Sequence, residues 1–490
     1  MTSENKKQNF LGLSWEGKLF NGDWFSSDAV RSVIEPATQD VIACIGVGGA
    51  HEVGIAASAA SACQAEWNTV HERSRAEIFL KAADIFEANT DEFALWIVRE
   101  TGGIIPKAMA EIQEAIAICR DAAAMLSHIP SQILPSESEV SSIARRVPLG
   151  VVGVISPFNF PLILGLRSVA PALAIGNGVV LKPDPRTAVS GGVIIARVFE
   201  AAGLPKGVFH MIPGDLEAGE ALCNDKNVQM VAFTGSTAAG RKVGESCGRN
   251  LKKVSLELGG KNSLIILDDA DIAIAASNIA FGSWFHQGQI CMATGRVLVQ
   301  RSLAPALTAA LVEKAKYLPV GNPTTGQVAL GPLINQKQAE NVHKIVMDSV
   351  SAGASLLVGG TYEGLFYKPT ILANVKPGMP AFDEEIFGPV INITLFDTDE
   401  EAVELANQTE YGLAAGVIGE DVTRAVKIAK QMKAGLVHVN DQTVAGDVST
   451  PFGGHGISGN GSAIGGPCNW EEFSVWQWMT IRDKASMKAF

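Results

Sequence analysis

Short apolar runs that alternate with longer helical patterns constrain the fold of this chain more than any other feature. The run at 151–155 is almost wholly apolar and is bounded by Gly150 and Pro157, which is typical of a parallel strand buried on both faces. Similar runs follow at 178–181, 207–212 and 228–233, and a second alternating block extends from 263 to 440. This pattern predicts an α/β protein with two doubly wound domains and a ligand cleft between them.

Charge and composition exclude several classes of partner. The chain has 490 residues, too many for one core, and a net charge of −12, which disfavours nucleic acid and anionic membranes as partners. Its seven cysteines form no C-x-x-C pair and its eight histidines show no ligand spacing, so we expect neither a disulfide framework nor a metal site. Residues 1–8 lack an apolar signal core and no long apolar run follows, so we expect a cytoplasmic protein.

Cys291 stands at the end of a glycine-flanked turn, 287–291, that follows a predicted helix beginning at Asp271. A cysteine placed there could act as a nucleophile, because the thiolate is the reactive form of this side chain. Free cysteines are also among the most buried residues and often only pack. The turn alone therefore leaves both interpretations open.

Two polar residues could serve such a thiol. Asn159 lies between two prolines after the first strand, where its carboxamide could donate to an oxyanion or merely bond its own turn. Glu257 lies in apolar surroundings before Gly259 and Gly260, and burial would raise its pKa and suit it to general-base work.

Other positions favour a nucleotide cofactor. Lys182 ends the second strand of the first block, where it could meet a ribose or phosphate or remain a surface lysine. Gly235 and Ser236 lie between a strand and a helix start, an arrangement that can receive a phosphate, although the spacing is not G-x-G-x-x-G. Glu385 and Phe387 precede a further strand.

Taken together, these motifs resemble the aldehyde dehydrogenase superfamily over nearly the whole chain. The matching motifs, in order, are PFNFP at 157–161, KP at 182–183, FTGS at 233–236, LELGGK at 256–261, QGQIC at 287–291, EIFGP at 385–389 and PFGG at 451–454. Two further stretches, KPDPRT at 182–187 and HVNDQTV at 438–444, look most like the benzaldehyde and vanillin dehydrogenase branch.

The resemblance implies a mechanism. Cys291 would attack the aldehyde carbon, and the Asn159 side chain and the Cys291 backbone N–H would hold the oxyanion of the thiohemiacetal. Hydride transfer to the nicotinamide would leave a thioester, which water activated by Glu257 would hydrolyse. The presence of Glu257 disfavours a CoA-acylating enzyme, and the presence of both Cys291 and Glu257 disfavours a catalytically silent member.

The resemblance also implies the cofactor contacts. Lys182 would meet the adenosine ribose, Gly235 and Ser236 the pyrophosphate, Glu385 the nicotinamide ribose, and Phe387 the ring. The remaining cofactor-binding residues that it implies are Ile155, Pro157, Gly240 and Leu258. Many members carry a Glu where this chain has Pro185, followed by Arg186, so NADP stays an alternative to the favoured NAD.

The substrate tunnel departs from the common family pattern. Arg167 and Ser168 replace an aromatic–lysine pair, and His286 replaces an Asn. The expected wall residues are Phe160, Leu164, Arg167, Trp284, Ile290 and Thr443. We expect an aromatic aldehyde, benzaldehyde first, with vanillin or salicylaldehyde as alternatives and a semialdehyde or aliphatic aldehyde as the rival.

The resemblance finally implies a domain division. Residues 1–127, 147–256 and 445–468 would form a Rossmann-like NAD(P)-binding domain, and 257–444 the catalytic domain. Segments 128–146 and 469–490 would form a small β oligomerisation element of a homodimer or homotetramer.

Overall fold

The computed structural model describes residues 9–137, 140–485 and 487. The N-terminal stretch 1–8, for which the sequence predicts no signal core, lies outside the described residues. So do 138–139, 486 and 488–490 of the predicted oligomerisation segments. Within the described ranges, no helix is both long and apolar enough to cross a membrane.

Twenty-three strands are described. They are β1 Lys18–Phe20, β2 Trp24–Ser26, β3 Ala29–Ile34, β4 Val41–Val47, β5 Ser131–Ile133, β6 Ser141–Pro148, β7 Val151–Ile155, β8 Gly178–Lys182, β9 Phe209–Met211, β10 Val228–Thr234, β11 Lys253–Glu257, β12 Asn262–Ile266, β13 Thr294–Gln300, β14 Ser355–Val358, β15 Tyr362–Glu363, β16 Phe366–Tyr367, β17 Thr370–Ala373, β18 Val390–Phe396, β19 Tyr411–Gly412, β20 Ala414–Ile418, β21 Leu436–Val439, β22 His455–Gly456 and β23 Ser474–Ile481.

Fifteen α-helices accompany them. They are α1 Ala50–Thr69, α2 Glu72–Ala88, α3 Thr90–Thr101, α4 Ile105–Met125, α5 Pro161–Ile175, α6 Ile194–Ala202, α7 Leu216–Asn224, α8 Thr237–Arg249, α9 Ile272–Trp284, α10 Ala304–Tyr317, α11 Gln336–Ser351, α12 Pro380–Asp383, α13 Asp399–Asn407, α14 Val422–Ala429 and α15 Cys468–Phe473.

The first seven-stranded sheet has the order β11-β10-β7-β8-β9-β1-β2. Strands β7 to β11 run parallel, and the β1–β2 hairpin joins the edge in the antiparallel sense. Ile155 pairs with Lys182 on one side and Phe233 on the other, and Thr234 pairs with Glu257. The carboxyl ends of these strands therefore bring the predicted polar residues to one edge.

The second seven-stranded sheet has the order β14-β17-β18-β13-β12-β20-β21 and lies wholly within residues 355–439 and 262–300. All its neighbouring pairs are parallel except β14–β17. Apolar clusters on both faces form its core, as its near-continuous apolar strands require. The predicted α/β class with two doubly wound sheets is confirmed.

A separate three-stranded sheet, β23-β6-β5, joins the two predicted oligomerisation segments. The predicted terminal strand pairs along its whole length with β6, from Ser474 with Pro148 to Ile481 with Ser141. Trp476 and Trp478 remain 44% and 69% exposed on it. The sheet thus carries two tryptophan side chains that the described residues leave partly exposed.

Residues 189–202 do not form one regular α-helix. Residues Val189–Val193 form a π-helical turn before α6 begins. The buried Glu100 carboxylate accepts from the backbone N–H groups of Val189 and Ser190 at 2.9 and 2.6 Å and from the Ser190 hydroxyl. This distant side chain holds the turn, so no local pattern could indicate it.

Candidate active site

Four of the predicted wall residues, together with Asn159 and Cys291, line one cavity of about 320 Å³. The wall residues are Phe160, Leu164, Arg167 and Ile290. They come from helix α5, which begins with Pro161 two residues after Asn159, and from the turn after α9. The cavity wall is mostly apolar, because α5 and α4 present their small and aliphatic side chains to it.

The structure places the other two predicted wall residues elsewhere. Trp284 is buried in the core of the second sheet, 2% exposed. The Thr443 hydroxyl is buried and bonds the Thr294 hydroxyl at 2.8 Å and the Met292 carbonyl at 2.6 Å. Among the described residues that line the cavity, neither is present. Helix α9 instead presents Phe281, stacked on Phe285 with ring centroids 4.7 Å apart.

The turn that carries Cys291 is held by unusual backbone geometry. His286 and Gln287 adopt left-handed conformations, with φ of 49° and 56°, a region that non-glycine residues rarely occupy. The Gln287 side chain compensates by donating to the Gly102 and Pro332 carbonyls, both at 2.8 Å. Hydrogen bonds to residues distant in sequence therefore stabilise the turn.

The Cys291 thiol lies half-buried at the cavity wall. Desolvation raises the pKa of this thiol to about 12, the positive charge of Arg167 opposes that rise, and the carboxylates of Glu385 and Glu257 add to it. The thiolate thus needs positive charge or hydrogen-bond donors nearby.

Asn159 supplies one such donor group. Its carboxamide is buried, 4% exposed, and its Nδ2 donates to the Gln289 carbonyl at 2.9 Å, two residues before Cys291. Because a carboxamide nitrogen carries two hydrogens, the second remains for an acceptor in the cavity. Asn159 and Cys291 therefore line the same cavity, and Asn159 bonds the turn that carries Cys291.

Glu257 ends β11 and is 2% exposed. Neither carboxyl oxygen has a hydrogen-bond partner within the part of the chain that the structure describes. Desolvation raises the pKa of Glu257 to about 8, Arg167 opposes the rise and Glu472 adds to it. A carboxyl group in this state can take up and release a proton near neutral pH.

The predicted cofactor residues surround the carboxyl edge of the first sheet. Lys182 is buried and donates from Nζ to the Gly214 carbonyl at 2.7 Å, while burial lowers the pKa of its ammonium group. Ser236 caps α8, with its hydroxyl accepting from the Ala239 N–H at 3.3 Å. Ile155 and Pro157 lie where β7 ends, beside Lys182.

Two glycines allow side chains to pack closely against the backbone at this edge. A Cβ at Gly240 would overlap Leu258, and a Cβ at Gly259 would overlap the Glu385 carboxylate. Glu385 accepts from the Gly260 N–H at 3.0 Å, and burial raises its pKa to about 7. Gly235 precedes the exposed first turn of α8, whose N–H groups suit a phosphate.

Phe387 has a left-handed backbone, with φ of 53°, and its ring meets Phe158 edge-on at 6.0 Å. Phe158 also carries the Arg186 guanidinium over its face, 4.3 Å from the ring centroid. In the described ranges, no group of three or more His, Cys, Asp or Glu residues could hold a metal ion.

Sequence reasoning missed the outer part of the cavity. Helix α4 contributes Glu114 and Asp121, and the loop after β21 contributes Asp447. Glu114, Ile118 and Asp121 follow the helical repeat of three and four residues, so the repeat could have placed them on one face. It could not have indicated that this face meets Asp447.

A family model described as the aldehyde dehydrogenase family matches residues 24–479, which include every residue of the cavity and of the cofactor edge described above. The chain belongs to the aldehyde dehydrogenase family. The superfamily resemblance of the motifs is therefore confirmed over nearly the whole chain.

Individual aldehyde dehydrogenases are also similar to it. The vanillin dehydrogenase of Amycolatopsis sp. is 50% identical over 470 residues, covering 96% of this chain and 97% of that protein. The benzaldehyde dehydrogenase [NAD(+)] of Pseudomonas putida is 46% identical over 478 residues, covering 97% and 98%. The structure of betaine aldehyde dehydrogenase from Staphylococcus aureus in complex with NAD+ matches with a TM-score of 0.94 at 29% identity, covering 97% and 96%.

Proposed function

We propose that this aldehyde dehydrogenase oxidises an aromatic aldehyde, benzaldehyde first, to the carboxylic acid with NAD. The observation that carries the proposal is the apolar cavity of about 320 Å³ on which Cys291 and Asn159 converge. The similarity to vanillin and benzaldehyde dehydrogenases at 50% and 46% identity supports the aromatic substrate.

The chemistry begins at Cys291. Its thiolate attacks the aldehyde carbon, a carbon–sulfur bond forms, and the carbonyl electrons move to the oxygen. Asn159 Nδ2 and the Cys291 backbone N–H donate to that oxyanion, where preorganised donors stabilise the developing charge. NAD, when bound, supplies the hydride acceptor.

Glu257 completes the reaction. Its carboxylate takes a proton from the water that attacks the thioester carbon, the carbon–sulfur bond breaks, and the thiolate of Cys291 leaves with the carboxylic acid released. The absence of hydrogen bonds to its oxygens, among the described residues, supports this role, because a fully bonded carboxylate would be a weaker base.

The residues at the edge of the first sheet fit NAD. Lys182, Ser236 with the first turn of α8, Glu385 and Phe387 would hold its riboses, pyrophosphate and nicotinamide. The name of the P. putida relative specifies NAD(+).

Arg186 bears on the choice between NAD and NADP. Its Nε and Nη2 donate to the two carboxylate oxygens of Asp184 at 2.8 and 2.6 Å. A 2′-phosphate would have to compete with that carboxylate for the guanidinium, so we favour NAD over NADP.

The outer cavity favours an uncharged aldehyde over a semialdehyde. Glu114, Asp121 and Asp447 line its solvent side, and like charge would repel a substrate that carries its own carboxylate. Vanillin and salicylaldehyde remain alternatives to benzaldehyde, because the wall carries both Arg167 and aromatic rings.

The proposal includes the domain division and assembly expected from the sequence. The first sheet draws its strands from the predicted NAD(P)-binding ranges, and the second from the catalytic range 257–444. The exposed Trp476 and Trp478 support a homodimer or homotetramer. Light scattering on the purified protein measures the oligomeric state. We also expect the protein in the cytoplasmic fraction of the cell.

A substrate panel tests the function. Benzaldehyde, vanillin, salicylaldehyde, succinate semialdehyde and hexanal are each supplied with NAD and with NADP, and kcat/KM is measured from the reduced cofactor formed. We expect the aromatic aldehydes with NAD to be fastest. A preference for succinate semialdehyde or hexanal would contradict the aromatic assignment.

A further inference from the structure

Arg167 is a cation on an otherwise apolar helix face. Helix α5 and the residue before it turn Phe160, Ile163, Leu164 and Pro171 toward the cavity, and Arg167 lies at the same helical spacing. Placing a guanidinium in an apolar wall costs free energy unless negative charge faces it. The negatively charged groups near Arg167 therefore indicate its role.

The Arg167 guanidinium contacts β10, the strand that pairs with the Glu257 strand β11. Arg167 Nη2 donates to the Thr234 hydroxyl at 3.4 Å, and Thr234 is the direct strand partner of Glu257. The guanidinium carbon also lies 4.5 Å from the Phe452 ring centroid, which fixes its plane. Arg167 Nε is buried without a hydrogen-bond partner in the described part of the chain, so donor capacity is left over.

Arg167 and Cys291 line the same cavity, and the charge of the guanidinium acts on the thiol. The other charges facing these two groups are negative: Glu385 and Glu257 toward the thiol, and Glu472 toward Glu257. On α4 and the loop after β21, the charged cavity residues are Glu111, Glu114, Asp121 and Asp447. Lys107 behind them is committed to Glu111 at 2.6 Å.

We propose that Arg167 is the shared counter-ion of Cys291 and Glu257, a positioning residue that favours the thiolate form of the first and the carboxylate form of the second. The proposal rests on the proposed function for the roles of those two residues. The single positive charge serves them in turn. While Cys291 is a thiolate the two anions share it, and once the sulfur carries the acyl group and is neutral, the full field acts on Glu257.

Alkylation of Cys291 by iodoacetamide tests the effect of Arg167 on the thiol, and it needs neither aldehyde nor cofactor. The thiolate displaces iodide to form a thioether, so the pH midpoint of the rate reports thiolate formation. Mass spectrometry of the peptide that contains Cys291 separates it from the other six cysteines. In Arg167→Met the midpoint should rise by about one pH unit, and the rate below it should fall about tenfold. Arg167→Lys should keep most of the effect.

Arg197→Met is the matched control. Arg197 also lies near a phenylalanine ring, 5.7 Å from the Phe10 centroid, pairs with Glu200, and has a buried Nε without a partner among the described residues. It lies on α6, outside the cavity lining. Its substitution should leave the alkylation midpoint unchanged.

Arg167→Gln separates charge from hydrogen bonding and covers a failure of the Met variant to fold. Gln can still donate to Thr234 but carries no charge, so its midpoint should rise as in Arg167→Met. An unchanged midpoint in a folded neutral variant, together with a raised KM for hydroxylated aldehydes, would assign Arg167 to substrate binding and overturn the proposal.

Hydrolysis of p-nitrophenyl acetate tests the effect of Arg167 on Glu257. The ester acylates the thiol and releases p-nitrophenolate, and the slower phase reports deacylation by Glu257. Its pH midpoint should rise in both neutral variants and stay in Arg197→Met; an unmoved midpoint would overturn the shared role. If the enzyme oxidised no aldehyde, the alkylation profile would still decide whether Arg167 acts on the thiol.

Discussion

Two buried glutamates of this molecule lie in opposite situations. Glu100, fully buried on α3, accepts from two backbone N–H groups and one hydroxyl at the π-helical turn. Glu257, equally deep at the end of β11, has no hydrogen-bond partner in the described ranges. Burial raises the pKa of both, to about 7 and about 8.

This difference in hydrogen bonding distinguishes a carboxylate that supports the fold from one that takes part in the reaction. Three donors turn Glu100 into a fixed part of the fold, whereas Glu257 keeps both oxygens free for a proton and a water molecule. Burial and a raised pKa alone would not distinguish them. The hydrogen bonds do, and the following variants test whether that distinction is real.

The largest effect is expected at the thiol that Glu257 serves. Cys291→Ala should lower aldehyde oxidation by about 10⁴-fold or more, because no other group can form the covalent adduct. Thermal unfolding and cofactor binding should stay close to those of the wild type. Cys119→Ala, at a fully buried cysteine in the core, is the control and should lose stability but keep turnover. Retained turnover in Cys291→Ala would contradict the mechanism.

Glu257→Gln should slow deacylation by about 10²–10⁴-fold, the usual range for removal of a general base. The first turnover should survive as a burst of reduced cofactor, since Cys291 and Asn159 are intact. Rapid mixing with aldehyde and NAD measures both phases. A steady-state rate equal to that of the wild type would place the base elsewhere.

The pH dependence follows from the raised pKa of Glu257. Deacylation requires the carboxylate, so its rate should climb as pH rises through about 8. Stability has the opposite sign: a carboxyl whose folded pKa is raised stabilises the fold fully below its unfolded pKa and loses that contribution as pH rises through about 8. Denaturant unfolding at about pH 5 and about pH 9 measures this. The free energy of unfolding of Glu257→Gln relative to that of the wild type should increase between these two pH values.

The smallest effect on activity is expected from Glu100→Gln. The carboxamide keeps one acceptor oxygen but loses the charge-assisted bonds, so the free energy of unfolding should fall by about 1–3 kcal/mol. Turnover per folded molecule should hardly change. If Glu100→Gln slowed turnover as strongly as Glu257→Gln, the hydrogen-bond criterion would fail to separate structure from chemistry.

The strand-end residues could be predicted because parallel strands place their carboxyl ends at one edge. That rule locates Asn159 and Lys182 from apolar runs, and the family resemblance adds Glu257 and Cys291. Phe160, Leu164 and Arg167 were also predicted as wall residues; Leu164 and Arg167 lie on α5, and Phe160 directly precedes that helix.

The parts that could not be predicted depend on contacts between distant segments. Trp284 ends α9 facing the core, and the left-handed backbone at His286 and Gln287 then redirects the chain toward the cavity. Bonds from Gln287 to carbonyls far away in sequence maintain that turn. Thr443 is likewise drawn inward by Thr294 and Met292, which no local pattern indicates.

The acidic outer cavity has a consequence for the end of the catalytic cycle. The aldehyde enters uncharged, but the product is a carboxylate, and it must pass Glu114, Asp121 and Asp447 on its way to solvent. Like charge on these side chains disfavours the return of the released carboxylate to the cavity. The enzyme should therefore tolerate accumulated benzoate, and neutralising the three acids would make it sensitive to its own product.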